Sequence, residues 1–200
     1  MVSPAAPDLP LSGWMADVRD RLARWPRTRA EAGPDDRRAA VLVPLFVRDG
    51  GLWTVFTLRT DSVEHHRGQY SFPGGSEEAE DATLFHTALR ESQEELGIRP
   101  EDALPLGRLS PIVTVTNFYV EPFVAAIPQP YVFTPEAAEI AEVVEVPIAA
   151  LLDPEALEKR LLPGRDEPVY FYRYDTHVIW GATGRILAEL LTALSGEPYS

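Results

Sequence analysis

The sequence predicts a single mixed α/β domain. Three observations lead there: apolar β-type runs share the chain with amphipathic helical runs, no internal repeat is visible, and no second core follows a linker. Two hundred residues favour one domain slightly over two, and 45% hydrophobic with 24% charged residues is the ordinary composition of a globular chain.

The elements follow in order. Residues 1–13 are rich in Pro, Ala and Ser and read as a loose lead-in. Trp14, Val18, Leu22 and Trp25 recur at helical spacing behind Ser12 as a candidate cap, predicting a short amphipathic helix that packs on the body. The polar stretch PRTRAEAGPDDRR reads as a linker. AAVLVPLFV and LWTVFTL then flank Asp49-Gly50-Gly51, a hairpin signal. RTDSVEHHRGQYS has no periodicity and reads as a loop. A helix is predicted over Asp81–Leu96, stopped by Gly97 as a left-handed cap. Strands are predicted at IVTVTN, YVEPFVAAI, EVVEVP and PVYFYRY, a helical turn or two at IAALL, and a closing amphipathic helix at GATGRILAELLTAL.

Composition excludes several function classes. With 31 acids against 18 Lys and Arg, the net charge of -13 repels nucleic acid and anionic membranes. An anionic ligand would need a local basic patch or bound cations. Cysteine is absent, which removes disulfides, thiolate zinc sites and cysteine nucleophiles. No run reaches the length of a membrane span, and neither end carries a readable targeting address. A cytoplasmic location is the expectation.

The segment FPGGSEEAEDATLFHTALRESQEELGI poses the physical problem. On a helix over Asp81–Leu96, Phe85, Leu89 and Leu96 share one stripe beside Ala88 and Ser92, and Glu91, Glu94 and Glu95 are placed on the opposite side. Like charges at this spacing destabilise a helix, and its C-terminal end disfavours anions. Hard divalent cations, Mg²⁺ or Mn²⁺, resolve both conflicts because they prefer carboxylate oxygens. Arg90, four residues before Glu94, is placed to pair with it.

This stretch resembles the Nudix box of Nudix hydrolases. Gly75 is followed by Arg90-Glu91-Ser92-Gln93-Glu94-Glu95-Leu96-Gly97-Ile98. Ser92 stands where an aliphatic residue is usual. The interval from Gly75 to Arg90 is one residue longer than the common form, so Asp81 is the nearest candidate for the spaced acid. The longer interval resembles the subgroup that hydrolyses coenzyme A, as does VFTLRTDSVEHHRGQYSFPGG ahead of the box. Phe56, Thr57, Arg59, Gly68 and Phe72-Pro73-Gly74-Gly75 match in register. Val55, Thr60 and Glu64 depart, and Glu64 reverses a charge that His65, His66 and Arg67 are placed to restore. Similar stretches run from about Val41 to Leu191.

The resemblance implies a Nudix-type α/β/α sandwich around a mixed β-sheet, with residues 1–38 as an N-terminal extension and 39–200 as the Nudix hydrolase domain. It implies Mg²⁺ or Mn²⁺ held by Glu91, Glu94, Glu95 and the Gly75 carbonyl, and cleavage of coenzyme A or acyl-CoA into 3′,5′-ADP and 4′-phosphopantetheine or its acyl derivative. Glu139 aligns best with the subgroup's general base and Glu136 second; a metal-acidified water needing no side-chain base is a third route. Arg59 suits either a phosphate grip or a surface ion pair. His66 and Arg67 are candidates for phosphate contact or for plain exposure. His86 and His177 read as structural, and the Tyr170, Tyr172, Tyr174 face reads first as sheet packing. Nudix proteins are often dimers, which makes a homodimer a candidate assembly; the sequence does not set the oligomeric state. The alternatives are a Nudix diphosphatase acting on ADP-ribose or a dinucleoside polyphosphate, and a non-catalytic nucleotide-binding module; the intact carboxylates weigh against the module.

Overall fold

A computed structural model describes residues 13–60, 69–164 and 167–196. Ser12, Glu64, His65, His66, Arg67 and Gly68 therefore lie outside the described residues. In chain order the elements are α1 (Gly13–Arg24), β1 (Arg37–Arg48), β2 (Gly51–Arg59), β3 (Tyr70–Ser71), β4 (Gly74–Ser76), α2 (Leu84–Leu96), β5 (Leu104–Arg108), β6 (Ile112–Val113), β7 (Phe118–Ala126), β8 (Ile140–Pro147), α3 (Ile148–Leu151), β9 (Leu157–Arg160), β10 (Val169–Tyr174), β11 (His177–Trp180) and α4 (Gly181–Ser195).

The main sheet is mixed, as expected. Its central order is β3-β2-β1-β7-β5, with β8 also on β2, β4 on β1 and β6 on β7. β1 and β7 run parallel, and the other pairs run antiparallel. β9, β10 and β11 form a separate antiparallel sheet. The β1–β2 hairpin closes through Asp49 and Gly50, both with positive φ, between the paired Arg48 and Gly51. That is the left-handed two-residue turn that an Asp-Gly pair favours.

β1 is buried on both faces, so its apolar run is nearly continuous. Ala40, Leu42 and Phe46 pack under α2 with Leu84, Ala88, Leu89 and Leu96. Ala39, Val43 and Leu45 join the larger core on the other face, which α1, α4 and the small sheet cover. The result is an α/β/α sandwich.

Three expectations need correction. In α1 the buried stripe is Met15, Val18 and Leu22, whereas Trp14 is 49% exposed. Trp25 lies past the helix end and donates from Nε1 to Glu189 Oε1 at 2.8 Å. The α2 helix begins at Leu84 instead of Asp81, because Thr83 is extended and its Oγ1 accepts from His86 N. The IVTVTN strand stops at Val113, since Asn117 takes a left-handed conformation and its N–H bonds back to Thr114 O. Strands β5, β9 and β11 and the short β3 and β4 carried no sequence signal strong enough to predict them; Pro105 and Gly107 in β5 accompany an irregular register with β7.

Candidate active site

Helix α2 presents three glutamates, and burial separates them. The Glu94 side chain is 60% exposed, that of Glu91 19%, and that of Glu95 only 3%. Glu95 therefore does not lie on a solvated face opposite the apolar stripe, as helical spacing alone suggested. It sits between Ser92 and Leu96 on the buried side, where β4 packs and the Arg59 side chain reaches in from the end of β2. Ser92, fully buried in place of an aliphatic residue, satisfies its hydroxyl by donating to Ala88 O at 2.6 Å.

Two donors meet the Glu95 carboxylate. Gly74 N donates to Oε2 at 3.1 Å and Arg59 Nη1 to Oε1 at 3.1 Å. A register irregularity between Leu58 and Arg59 in the β2–β8 ladder accompanies this placement of Arg59, as bulges re-aim side chains. Arg59 Nη2 reaches Glu139 Oε2 at 3.4 Å, while its buried Nε has no acceptor among the described residues. Arg59 thus bridges two acids at the site rather than making an isolated surface pair.

The loop carrying Glu139 is tied to the end of α2. Thr134 N donates to Leu96 O and Glu136 N to Glu95 O, which satisfies carbonyls that a helix end leaves free. Thr60 N donates to Glu139 O at 2.8 Å. Glu136 turns its carboxylate back onto Ala138 N. Gly97 ends the helix at φ 69, with its N–H bonded to the last turn.

Arg90 locks the glycine turn to the helix. Its Nε and Nη2 donate to Asp81, Nη2 also to Ser76 O at 3.0 Å, and Nη1 to Glu91 and Glu94 at 3.1 Å each. Asp81, the acid nearest the expected spacing, also accepts from Thr87 Oγ1 and Glu78 N. The Arg90 guanidinium holds the Asp81 carboxyl down at about 2. Sequence reasoning missed this anchor; an acid nine residues before the arginine was its one signal. At Gly75 any Cβ would overlap the Glu91 carboxylate, so only glycine allows that approach.

Burial pushes the Glu91 carboxyl up and that of Glu95 up to about 7, with neighbouring acids adding to both. The result is a concentration of hard oxygen donors in which deprotonation is opposed. Among the described residues no three His, Asp or Glu side chains gather closely enough to form a finished metal shell. The donor chemistry nonetheless fits a divalent cation, since Glu91 and Glu95 flank the Gly74–Gly75 turn and Arg59 and Arg90 are the cations facing them. His86 belongs to the Thr83 cap and His177 bonds Tyr70 Oη at 2.7 Å, both structural roles. Tyr172 is buried, and Tyr170 and Tyr174 pack on the same core.

A charged helix end set against a glycine turn, inside a mixed-sheet sandwich, offers oxygen donors suited to a hard cation. The NUDIX domain family matches residues 36–171, and the chain belongs to the Nudix hydrolases. The protein named NudL, an uncharacterized Nudix hydrolase of Klebsiella pneumoniae, is 37% identical over 169 residues, covering 82% of this chain and 86% of that one. The Enterobacter protein of the same name is 35% identical over 188 residues, covering 90% and 95%. Among solved structures, a MutT/nudix family protein from Enterococcus faecalis superposes with TM-score 0.55 at 14% identity over 92% of this chain and 77% of that one. A NUDIX hydrolase from Alicyclobacillus acidocaldarius gives 0.55 at 18% over 80% and 92%. At these identities the structural likeness speaks to the fold alone. As a Nudix hydrolase the chain is an enzyme acting on a diphosphate bond in a nucleoside diphosphate derivative, chemistry the family generally runs with Mg²⁺ or Mn²⁺. No helix among the described residues is long and apolar enough to cross a membrane.

Proposed function

We propose that this enzyme hydrolyses the diphosphate of coenzyme A or acyl-CoA, giving 3′,5′-ADP and 4′-phosphopantetheine or its acyl derivative. One observation supports the subgroup most directly. Arg59, from the motif ahead of the box, and Gly74, from the glycine turn, both donate to Glu95 of the box. The residues that resemble the coenzyme A subgroup are thus in contact with the hydrolytic helix.

Glu91, Glu95 and the Gly75 carbonyl, with Glu94 at the rim, would hold the cation. Mg²⁺ or Mn²⁺, when bound, supplies charge neutralisation of the diphosphate oxygens and a more acidic water. Arg90 positions the turn and the glutamates against each other. Arg59, whose Nη1 and Nη2 face Glu95 and Glu139, would hold a phosphate oxygen. Glu139 accepts the proton of the attacking water; the water oxygen bonds to one phosphorus as the bridging P–O bond breaks, and the other phosphate leaves with that bridging oxygen. Glu136 is the second candidate for the base. His66 and Arg67 would contact the anionic ligand. The same reading carries a cytoplasmic location, with a homodimer as the candidate assembly.

Glu64, an acid where the subgroup carries arginine, keeps ADP-ribose or a dinucleoside polyphosphate as the second substrate reading. Mass analysis of products formed in oxygen-18 water from coenzyme A, ADP-ribose, diadenosine polyphosphates and nucleoside triphosphates tests both. The proposal expects coenzyme A compounds to be preferred, with one heavy oxygen in one product. A strong preference for any other substrate removes the subgroup assignment.

A further inference from the structure

A groove of about 520 Å³ opens where the coil after α1 meets the sheet. Arg27, Thr28 and Arg29 line it from the coil, Arg108 from β5, and Tyr119 and Glu121 from β7. Such a concentration of arginine is unexpected in a chain of net charge -13. Glu121 neutralises Arg108 at 2.8 Å, and Glu77 pairs with the neighbouring Arg38 at 3.1 Å. Among the described residues no carboxylate pairs with Arg27 or Arg29. Two guanidinium groups are left over in the groove, and that of Arg27 acts on the Tyr119 hydroxyl, which burial and Glu121 hold in its protonated form.

The coil is pinned rather than draped. Trp25 Nε1 donates to Glu189 Oε1 at 2.8 Å, Thr28 N to Ser110 Oγ at 2.9 Å, and Ser110 Oγ to the same Glu189 oxygen at 2.7 Å. Arg27 and Arg29 flank the bonded Thr28, so the backbone that carries both is fixed.

Sheet register places this groove relative to the reaction centre. Gly75 pairs with Ala40, and Ala40 pairs with Glu121. Two strand spacings, about 10 Å, therefore separate Gly75 from Glu121. Gly75 and the Glu121 wall of the groove lie on the α2 side of the sheet: a Cβ on Gly75 would meet Glu91, and Tyr119 and Phe123, which alternate with Glu121, pack on the core beneath α2, while Leu22, Ala23 and Trp25 line the groove from α1 and its end.

We propose that the groove binds a phosphomonoester on the nucleoside end of the substrate, one nucleoside's length from the scissile diphosphate. This rests on the coenzyme A reading, since coenzyme A carries such a phosphate on its ribose, and ADP-ribose does not. Arginine forks match phosphate oxygens in pairs, and the Tyr119 hydroxyl adds a neutral donor.

Calorimetric titration of the full chain with adenosine 3′,5′-bisphosphate and with adenosine 5′-monophosphate tests the groove without turnover. The wild type is expected to bind the bisphosphate about tenfold or more tighter, from charge-assisted hydrogen bonds to the extra phosphate. The Arg27→Ala/Arg29→Ala double variant should lose that preference while keeping its monophosphate affinity and its circular-dichroism melt. In kinetics the variant should raise KM for coenzyme A, leave kcat unchanged, and leave 3′-dephospho-coenzyme A unaffected. Equal wild-type affinities, or equal weakening of both ligands, would overturn the proposal. Should the preference hold while coenzyme A is not cleaved, the groove stands and the substrate assignment falls.

Discussion

Glu95 carries a conflict between burial and charge that its surroundings only partly relieve, since Arg59 and Gly74 supply donors while Glu91 and Glu139 repel. Its folded pKa, about 7, lies above the ordinary 4.5. An acid shifted upward favours folding most when protonated, so its contribution is complete below about pH 4.5 and disappears as pH rises through about 7. The metal-free protein should therefore lose stability over that window, and Glu95→Gln should flatten the loss while cutting kcat by about 10²-fold or more. Urea unfolding across pH, beside turnover of coenzyme A, checks both halves; an unchanged pH slope in the variant would refute the first. Asp81 has the opposite sign. Its pKa is held near 2 against an ordinary 3.8, so its ion pair with Arg90 is complete above about pH 4 and lost as pH falls through 2. Asp81→Asn should cost about 1–3 kcal/mol at pH 6, and the gap to wild type should narrow toward pH 2. A gap that stays constant would show that Arg90 is anchored elsewhere.

Helix α2 works as a site because each of its ends is tied to another segment. Thr83 and Asp81 fix the start, and the loop from Thr134 to Glu139 hangs on the carbonyls of its last turn. Gly97 is the joint: its φ is 69, and a Cβ there would overlap the Thr134 hydroxyl. Gly97→Ala should cost at least about 1 kcal/mol, or about 2–4 °C in Tm for a chain of this size. Because Thr134 leads into the loop that bears Glu139, kcat should fall as well. Calorimetric melting with steady-state kinetics measures the two together; a lower Tm with unaltered kcat would count against Glu139 as the proposed base.

The sandwich is closed by contacts between segments distant in the chain. Glu189 on α4 accepts from Trp25 after α1 and from Ser110 between β5 and β6, drawing the N-terminal helix, the sheet edge and the last helix together. Glu189→Ala would strand these part-buried donors and should destabilise by about 2–3 kcal/mol. Asp17→Ala, which breaks only the exposed pair with Arg21, should change stability by about 0.5 kcal/mol or less. Chemical denaturation of both variants provides the comparison, and equal effects would count against the network. Tyr70 and His177 similarly join β3 to β11, linking the two sheets through a 2.7 Å hydrogen bond.

Much of this is legible in the sequence alone. The hairpin at Asp49-Gly50, the α2 glutamates, the Gly97 stop and the closing helix all announce themselves through local patterns, because turn chemistry and helical periodicity act between residues a few positions apart. The box and the motif ahead of it indicated the hydrolase class for the same reason, being contiguous in the chain. What escaped was everything set by partners far along the chain. Helical spacing put Glu95 with the exposed acids, yet β4 and Arg59 cover it. The edge strand β5 was invisible because Pro105 and Gly107 carry little strand preference, and its pairing with β7 supplies what local preference lacks. Burial and charge balance are sums over neighbours, and periodicity cannot name neighbours; the packed sheet, by bringing residues 59, 74, 95 and 139 to one place, decided which acids are buried and which cations face them.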